Sequence, residues 1–323
     1  MSLTRDALWG AYNAAWLAAL PLLALSPRLR DGFKDRLVPP EWGASSGWQD
    51  VWIQAASGGE AYLVWELMRH APEALKANLL ATTCTRQGAE ILDKAAAWGE
   101  EHAPLLHLRR TFFPFDAPGL MRRALNLTLP RVVVLLETEL WPGLLAACAR
   151  EQVPVVVVNG RLSRRSLAGY LAFRRFFRRV APTEVLAVSE RDASRFALLF
   201  GPERVQVMPN IKFDRLDLVD ATLARDGVAR VFDPATPLAV LASVRRAEEP
   251  EALWITQELL RTRPDAGVAI FPRHMERVEA WAAALAKAGV PHTRRSAVSE
   301  PVTAGGVVLW DVFGELAQAF AAA

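Results

Sequence analysis

This sequence has little cysteine and lacks several motifs of metal and nucleotide chemistry. It contains only two cysteines, Cys84 and Cys148, and neither lies in a CxxC pair or another spacing typical of a metal site. Such cysteine usage is typical of a reducing compartment, or of one in which oxidation does not matter. No HExxH motif and no P-loop occur, so metalloprotease and NTPase interpretations lack their chemistry. No long segment has the composition of a disordered region.

A large excess of either charge is also lacking, although the basic residues are clustered. The chain has 323 residues, of which 52% are hydrophobic and 23% charged, and its formal net charge is +3. A chain of this length exceeds the usual size of one domain, so we expect two domains, each with a substantial core. The clustered arginines suit anionic partners such as phosphates, acidic lipid headgroups or nucleic acid.

The first apolar segment, residues 7–27, contains no charged residue. As a helix it would be about 30 Å long, comparable to the hydrocarbon core of a bilayer. Four basic residues follow this segment: Arg28, Arg30, Lys34 and Arg36. A cleaved signal peptide has its basic residues before the apolar run, so this order argues against one. The basic residues also favour a cytoplasmic location of this flank. We predict an uncleaved anchor and basic flank over 1–36, which spans the membrane or lies in its interface. A buried first helix of the soluble domain is the alternative.

Short apolar runs alternate with turns and helical patterns after a linker predicted at 37–50. The first series of predicted strands lies at 51–56, 77–83, 104–108, 131–136, 153–159 and 186–189. After residues 205–210 a second series follows, with strands at 238–243, 266–272 and 307–309. This strand–turn–helix pattern predicts two doubly wound parallel sheets, in two α/β domains that face a cleft.

Three glutamates follow predicted strands and are candidate site residues. Glu60 ends the sequence SGGE at the start of a helix, where the macrodipole favours an ionised carboxylate. Glu137 and Glu139 follow the strand at 131–136, at the edge where open α/β sheets bind ligands. A cleft-facing carboxylate could act as a general base for a hydroxyl nucleophile. Helix capping is the alternative for Glu60, since Ser57 and Glu60 have the spacing of a capping box. For Glu137 and Glu139 the alternative is that they cap the next helix and pair with surface arginines.

Hydroxyl and basic residues supply further candidate positions. Residues 82–85 place hydroxyls at the carboxyl end of the second predicted strand and directly after it. Seven arginines within 161–179 are interleaved with aromatic residues, which suits phosphates at a membrane boundary or single-stranded nucleic acid; a solvated basic face is the third interpretation. Arg273 ends another predicted strand, where a guanidinium could bind a phosphate. His274 beside it is, alone, typical of a loop histidine.

Nine segments together resemble the bacterial 3-deoxy-D-manno-octulosonic acid (Kdo) transferases of lipopolysaccharide synthesis. Their order and spacing extend through nearly the whole chain, and ETELWP followed by NGRLSxRS is more specific than any single glycine pattern. The matching segments are WIQAASGGE (52–60), TTCTRQG (82–88), FFPFDAPG (112–119), LLETELWPGLL (135–145), VPVVVVNGRLSRRSLAGY (153–170), VSERDASRF (188–196), PNIKFD (209–214), FPRHMERVE (271–279) and DVFGEL (311–316).

The resemblance implies a GT-B glycosyltransferase with two Rossmann-like domains. The N-terminal domain, 37–208, would bind the acceptor, and the C-terminal domain, 209–323, the nucleotide sugar. The implied reaction transfers Kdo from CMP-Kdo to the lipid A precursor, lipid IVA, with inversion and with no metal or cofactor in the site. The implied location is the cytoplasmic face of the bacterial inner membrane, reached through residues 7–27 and the patch 161–179. Nucleic acid is not an implied partner.

The resemblance also implies roles for individual residues. Glu60 matches the family's proposed general base in its SxGE motif, Arg273 an arginine near the CMP phosphate, and Lys212 a position at the domain hinge. The implied acceptor-binding residues are Ser57, Thr83, Arg86, Glu137, Glu139, Arg161 and Arg164. The implied donor-binding residues are Lys212, Arg273, His274, Gly314 and Glu315.

The sequence departs from the family pattern in several places. Gln54 stands where the family usually has His, and Gly59 where it usually has Val. The family continues past GEL into a Gly-rich segment and an Asn-x-Leu-Glu-Pro motif that this sequence does not contain, so we expect an incomplete donor site. Two other functions stay open: a GT-B transferase that uses another nucleotide sugar, and a non-catalytic protein that binds lipids or anionic headgroups.

Overall fold

The computed structural model describes residues 3–26, 29–44, 49–213, 231–233 and 236–322. Contacts between Cα atoms divide the chain into a first unit, Met1–Lys212, and a second unit, Phe213–Ala323. Each unit is built around its own parallel sheet.

The first unit contains a seven-stranded sheet with the order β3-β2-β1-β4-β5-β6-β7. Every neighbouring pair of strands is parallel, so all the strands end at the same edge. The strands are β1 (Val51–Gln54), β2 (Ala77–Thr83), β3 (Leu106–Phe112), β4 (Val132–Leu136), β5 (Val155–Gly160), β6 (Glu184–Ala187) and β7 (Val205–Val207).

Helices connect these strands, and most begin at the carboxyl edge of the sheet. Side chains of Ser57, Thr85, Ser163 and Ser189 accept hydrogen bonds from the first turns of four of them, as N-caps do. The helices are α1 (Leu3–Ala24), α2 (Glu41–Ala44), α3 (Gly58–Arg69), α4 (Arg86–His102), α5 (Pro118–Thr128), α6 (Pro142–Glu151), α7 (Arg164–Ala172), α8 (Arg174–Arg179) and α9 (Glu190–Phe200).

Strand β4 is covered on both faces, as its continuous apolar run predicts. Val133 belongs to the hydrophobic core that contains Leu144 of α6, whereas Leu136 belongs to the core that contains Leu63 of α3. All four side chains are fully buried. The polar residues that follow β4 therefore lie at the end of a strand whose own side chains are enclosed by helices.

The second unit contains a four-stranded parallel sheet with the order β10-β11-β9-β8. Its strands are β8 (Leu238–Val244), β9 (Gly267–Pro272), β10 (Thr293–Arg294) and β11 (Val307–Leu309). Its helices are α10 (Glu249–Thr262), α11 (Val278–Lys287) and α12 (Leu316–Ala322). The α/β class and the parallel sheets are thus confirmed in both units.

Strand β3 differs from its prediction, which ended it at residue 108. Arg109 and Arg110 interrupt the apolar pattern, yet the strand continues through them. An edge strand tolerates charged side chains because they can reach solvent or the rim of a neighbouring element. Arg110 forms an ion pair with Asp93 at 2.7 Å, and Arg109 donates to the Trp42 carbonyl at 2.8 Å.

Helix α1 contains most of the predicted anchor and packs on the segment before α5. The Tyr12 hydroxyl donates to Asp116 at 3.0 Å, and the rings of Trp16 and Phe115 are 6.0 Å apart. Leu22 is 72% exposed. Within the described ranges, no helix has both the length and the hydropathy needed to cross a membrane.

The predicted basic flank and linker are corrected at three positions. Arg36 is 4% exposed and donates to the carbonyls of Phe113 and Cys84, and burial lowers its pKa, so it cannot face a headgroup. Val38 and Trp42, predicted in a linker, are core residues. Arg30 and Lys34 are exposed, while Arg28 lies outside the described residues.

Candidate functional site

Glu60 combines a helix cap with a buried carboxyl group. The Ser57 N–H donates to Glu60 Oε2 at 2.7 Å, and the Glu60 N–H donates to Ser57 Oγ at 3.4 Å, a complete capping box. Glu60 is only 7% exposed. Burial and the negative charges of Glu139 and Glu137 raise the pKa of Glu60 to about 7, against the bonds from Ser57. The capping interpretation is therefore confirmed, and the catalytic role of Glu60 stays a prediction.

Glu137 and Glu139 lie in the turn between β4 and α6. Glu137 adopts a φ of +58°, a left-handed conformation that is uncommon for a residue with a Cβ, and its N–H donates to the Val158 carbonyl at 3.0 Å. The Thr138 hydroxyl donates to the Arg161 carbonyl. The turn is therefore bonded to the end of β5. We call Glu60, Glu137 and Glu139 the carboxylate cluster.

Trp141 hydrogen-bonds the Glu139 carboxylate, donating from Nε1 to Oε2 at 2.6 Å. Burial raises the pKa of Glu139, whereas the neighbouring polar groups of Trp141 and Gln54 lower it. The Gln54 amide nitrogen donates to Cys84 Sγ at 3.6 Å. Gln54 is fully buried, and its amide oxygen accepts from the Thr82 hydroxyl at 2.6 Å, which orients the amide group. At the position where the family usually has His, this chain thus places a buried amide near Glu139.

Asp116, in the segment FFPFDAPG, holds the start of α6. It is 1% exposed and accepts from the N–H groups of Gly143 at 2.7 Å and Leu144 at 2.8 Å, so it caps α6 from a distant part of the chain. Burial raises its pKa to about 6, although these bonds and that from Tyr12 oppose the shift. A Cβ at Gly143 would lie 2.2 Å from the Asp116 carbonyl oxygen, so only glycine fits there.

Lys212 lies in the first unit and forms an ion pair with Glu137 at 2.5 Å. The preceding residue is fixed as well, because the Ile211 N–H donates to Asn159 Oδ1 at 3.0 Å. Asn159 is fully buried and has a φ of +57° at the end of β5. The Lys212 charge is therefore beside the carboxylate cluster. Its predicted donor-binding role stays a prediction.

The other predicted acceptor residues are spread along the same edge. Thr83 is fully buried and donates to the Ala56 carbonyl at 3.4 Å. Arg86 is exposed and pairs with Glu90 at 3.1 Å, one turn along α4. Arg164 is exposed at the start of α7. In the described part of the chain, the bonds of these side chains do not reach the carboxylate cluster. Arg161 instead lines a cavity between α7 and α9.

The basic aromatic patch is solvent-facing along α7 and α8. Phe173, between the two helices, is 66% exposed, whereas Leu167 and Phe177 are buried in the core. One face of this segment therefore packs inward while the other presents positive charge. The exposed arginines are Arg161, Arg164, Arg165, Arg174, Arg175, Arg178 and Arg179.

The predicted donor residues of the second unit lie after two of its strands. Arg273 follows β9, is exposed and donates to Ser243 Oγ at 3.2 Å, and His274 beside it is also exposed. Gly314 has a φ of +90°, a conformation that favours glycine. Glu315 accepts two bonds from Arg295, at 2.9 and 3.1 Å, so its carboxylate is already engaged.

Sequence reasoning missed two residues that build the site, Asp116 and Gln54. Asp116 lies 27 positions before Gly143, from whose N–H it accepts a hydrogen bond, and spacing rules for caps consider only the residues next to a helix. Its one sequence signal is that it lies within a resembling segment, FFPFDAPG. Gln54 could be found only as a departure from the family pattern.

Replacement of Glu139 by glutamine is expected to lower the pKa of Glu60 from about 7 by about one unit, because the neighbouring negative charge disappears while burial remains. The glutamine oxygen can still accept from Trp141. The measurement is a carbon-13 NMR titration of the glutamate carboxyls. Exposed Glu101→Gln on α4 is the control and should leave the titration of Glu60 unchanged. Equal pKa values in both variants would show that Glu139 does not act on Glu60.

Comparisons with known proteins bear on this geometry. A family model described as 3-deoxy-D-manno-octulosonic-acid transferase (kdotransferase) matches residues 30–215. A 3-deoxy-D-manno-octulosonic acid transferase of Bordetella pertussis is 34% identical over 282 residues, covering 84% of this chain and 64% of the relative. One from Haemophilus influenzae is 29% identical over 303 residues, covering 90% of this chain and 67% of the relative. The chain thus spans about two thirds of these relatives.

Solved structures with a similar fold are much more distant in sequence. A Listeria monocytogenes protein assigned as a UDP-N-acetylglucosamine 2-epimerase has a TM-score of 0.55 at 13% identity, over 85% of this chain and 72% of its own. The UDP-GlcNAc 2-epimerase of Neisseria meningitidis has a TM-score of 0.50 at 14% identity, over 84% and 74%. At these identities the likeness shows the fold alone, which is of the GT-B type.

The family match includes every member of the carboxylate cluster. It also includes Asp116, Arg161 and Lys212, and it covers more than half of the 323 residues. The matched range also contains the residues that form the carboxyl edge of the first sheet. This chain therefore belongs to the 3-deoxy-D-manno-octulosonic acid (Kdo) transferase family.

Proposed function

We propose that this protein transfers Kdo from CMP-Kdo to the lipid A precursor, lipid IVA, at the cytoplasmic face of the bacterial inner membrane. The observation that carries the proposal is the buried Glu60 carboxyl, with a pKa of about 7, at the carboxyl edge of a parallel sheet. Family membership supports the choice of sugar and acceptor. In this proposal the N-terminal domain, 37–208, binds the acceptor and the C-terminal domain, 209–323, binds the nucleotide sugar.

Glu60 acts as the general base of the proposed reaction. An acceptor hydroxyl attacks the anomeric carbon of Kdo, a new C–O bond forms, and the bond from that carbon to the CMP phosphate breaks. Glu60 takes the hydroxyl proton, CMP leaves, and the anomeric configuration inverts. A base with a pKa of about 7 is well matched to this step, because much of it is ionised at neutral pH while its affinity for the proton remains substantial.

The surrounding residues adjust this base and hold the acceptor. Glu139 and Glu137 keep the pKa of Glu60 high, and Lys212 offsets part of their charge through its ion pair with Glu137. No metal or cofactor takes part in the proposed step. The proposed acceptor-binding residues are Ser57, Thr83, Arg86, Glu137, Glu139, Arg161 and Arg164.

The second unit supplies the proposed donor site. Arg273 and His274 are exposed after β9 and are free to approach the CMP phosphate. Gly314 brings backbone close to the nucleotide, because its left-handed turn carries no Cβ. Glu315 holds that turn through Arg295. Lys212 is assigned to the donor as well, at the boundary between the two units.

Membrane contact is proposed through residues 7–27 and the patch 161–179. Leu22 at the end of helix α1 and Leu25 just after it are exposed, which suits insertion into an interface. The exposed arginines of α7 and α8, with Phe173, suit acidic headgroups. An anionic lipid acceptor would be delivered along such a surface.

The test is release of CMP from CMP-Kdo in the presence and absence of lipid IVA. We expect release that depends on the acceptor and yields Kdo-modified lipid in equal amount, detected by mass spectrometry. CDP- and UDP-linked sugars serve as competing donors, and turnover with one of them alone would identify a transferase for another nucleotide sugar. A folded chain that binds lipid IVA vesicles but consumes no donor would contradict the proposal and favour the non-catalytic lipid-binding function.

A further inference from the structure

A cavity of about 730 Å³ lies at the carboxyl edge of the first sheet, between the starts of α7 and α9. It is formed where two neighbouring strands, β5 and β6, end and their helices begin. Three guanidinium groups and three serine hydroxyls line it: Arg161, Arg191, Arg195, Ser163, Ser166 and Ser189. All of these groups can donate hydrogen bonds, and the arginines carry permanent positive charge.

Asp192 joins the two sides of the cavity. Its Oδ1 accepts from the Leu162 N–H at 2.9 Å, and its Oδ2 accepts from the Ser189 hydroxyl at 2.6 Å. Arg195 donates to the Leu162 carbonyl at 2.6 Å and lies 3.5 Å from Asp192. Across the wall, the hydroxyls of Ser163 and Ser166 are 2.8 Å apart. These bonds hold the lining in place without a ligand, which reduces the entropy lost on binding.

The lining of the cavity carries more positive than negative groups. Two carboxylates, Glu190 and Asp192, face three guanidiniums. Asp192 is already satisfied by Leu162, Ser189 and Arg195. Arg161 and Arg191 are exposed, and neither forms an ion pair within the described ranges.

A tetrahedral dianion fits this lining better than a carboxylate. Guanidinium forks bind phosphate in a bidentate manner, and two forks with serine hydroxyls can contact several phosphate oxygens at once. Both helices, nine and eleven residues long, begin at the cavity and direct their positive ends toward it. A single carboxylate would engage one fork and leave the second unsatisfied.

The cavity adjoins the carboxylate cluster. Thr138, between Glu137 and Glu139, lines it and donates to the Arg161 carbonyl. We propose that this cavity is a phosphomonoester subsite that seats a phosphate of the acceptor while another part of the acceptor reaches Glu60. The acceptor assignment rests on the proposed function, whereas the phosphate chemistry does not. An acceptor phosphate and free inorganic phosphate share this chemistry and are separated by the test.

The first measurement is the affinity of the full chain for inorganic phosphate, determined by calorimetry at low salt. The double variant Arg161→Gln/Arg191→Gln removes the two unpaired forks, and we expect it to weaken binding at least about tenfold. The matched control is Arg131→Gln/Arg150→Gln, which removes the same charge from two exposed arginines, 79% and 70% exposed, outside this edge. Phosphate affinity in the control should stay within about twofold of the wild type. Equal affinity in all three proteins would overturn the subsite.

The second measurement is transfer to lipid IVA and to the same lipid after enzymatic removal of its phosphates. For the phosphorylated acceptor we expect the double variant to raise KM about tenfold with little change in kcat, because the lost contact binds rather than reacts. For the dephosphorylated acceptor the wild type and the double variant should have equal KM. An equal rise in KM for both acceptors would overturn the acceptor assignment. Absence of transfer by the wild type would overturn the proposed function, and phosphate binding would still decide the subsite.

Discussion

Glu60→Gln is expected to lower kcat by about 10²- to 10⁴-fold, the range that general-base catalysis contributes. Glutamine is nearly isosteric, and its amide oxygen can still accept from the Ser57 N–H, so the capping box survives. What disappears is the carboxylate proposed as the general base. The measurement is CMP release with saturating donor and acceptor. Glu101→Gln, exposed on α4, is the matched control and should retain wild-type turnover.

The pH dependence gives the same prediction a second readout. The base must be ionised, so kcat/KM of the wild type should rise as pH increases through about 7, the pKa of Glu60. The residual activity of Glu60→Gln should lack this rise, the acidic limb of the pH profile. A variant that remains folded and keeps both wild-type turnover and the limb would refute the assignment of Glu60 as base.

The free energy of unfolding should also depend on the ionisation of Glu60, but it should fall as pH rises, whereas kcat/KM rises. Because the folded pKa of Glu60 lies above its ordinary value of 4.5, the neutral carboxyl favours the folded state at low pH, and this contribution is lost as pH rises through about 7. The free energy of unfolding of Glu60→Gln, relative to the wild type, should therefore increase by about 1–3 kcal/mol between pH 5 and pH 8. Urea unfolding at several pH values measures it. A constant difference would mean that the carboxyl is not destabilised by burial.

Much of the fold follows from short-range sequence patterns. The helices Pro142–Glu151 and Glu190–Phe200 begin at a proline or after a capping serine, and strand Ala77–Thr83 is a bounded apolar run, so their limits are readable locally. Strand Leu106–Phe112 was predicted too short because its tolerance for arginines depends on its edge position, which is a property of the sheet. Strand Thr293–Arg294 has too few residues to leave a pattern.

The carboxylates of the site were predicted, but the contacts that adjust them were not. Glu60 stands where spacing and resemblance both place it. Its raised pKa, however, depends on Glu139 and Glu137, which are more than seventy residues away in sequence and approach only through the sheet order. The same holds for the ion pair of Lys212 with Glu137, since the resemblance assigns Lys212 to the donor. Long-range side-chain pairs of this kind leave no periodic signal.

Asp116→Ala is expected to reduce the free energy of unfolding by about 3 kcal/mol, because it leaves the buried N–H groups of Gly143 and Leu144 without an acceptor. Asp116→Asn retains one acceptor oxygen and should lose about half as much. Urea unfolding at pH 8 measures both, since the carboxyl, with a pKa of about 6, is ionised there. The matched control is Asp93→Ala, which removes an exposed ion pair with Arg110 and should cost about 0.5 kcal/mol or less.

The same substitution should also reach the site, because α6 begins where the turn with Glu137 and Glu139 ends. When the first turn of α6 is released, Trp141 is no longer held as the donor to Glu139. The Glu139 carboxylate near Glu60 then becomes mobile. We therefore expect Asp116→Ala to lower kcat about tenfold at a temperature where it remains folded, and to shift the pH limb of Glu60, whereas Asp93→Ala does neither. Loss of stability with an unchanged kcat and pH limb would limit Asp116 to a structural role. Equal stability of Asp116→Ala and Asp93→Ala would show that the start of α6 is held by other contacts.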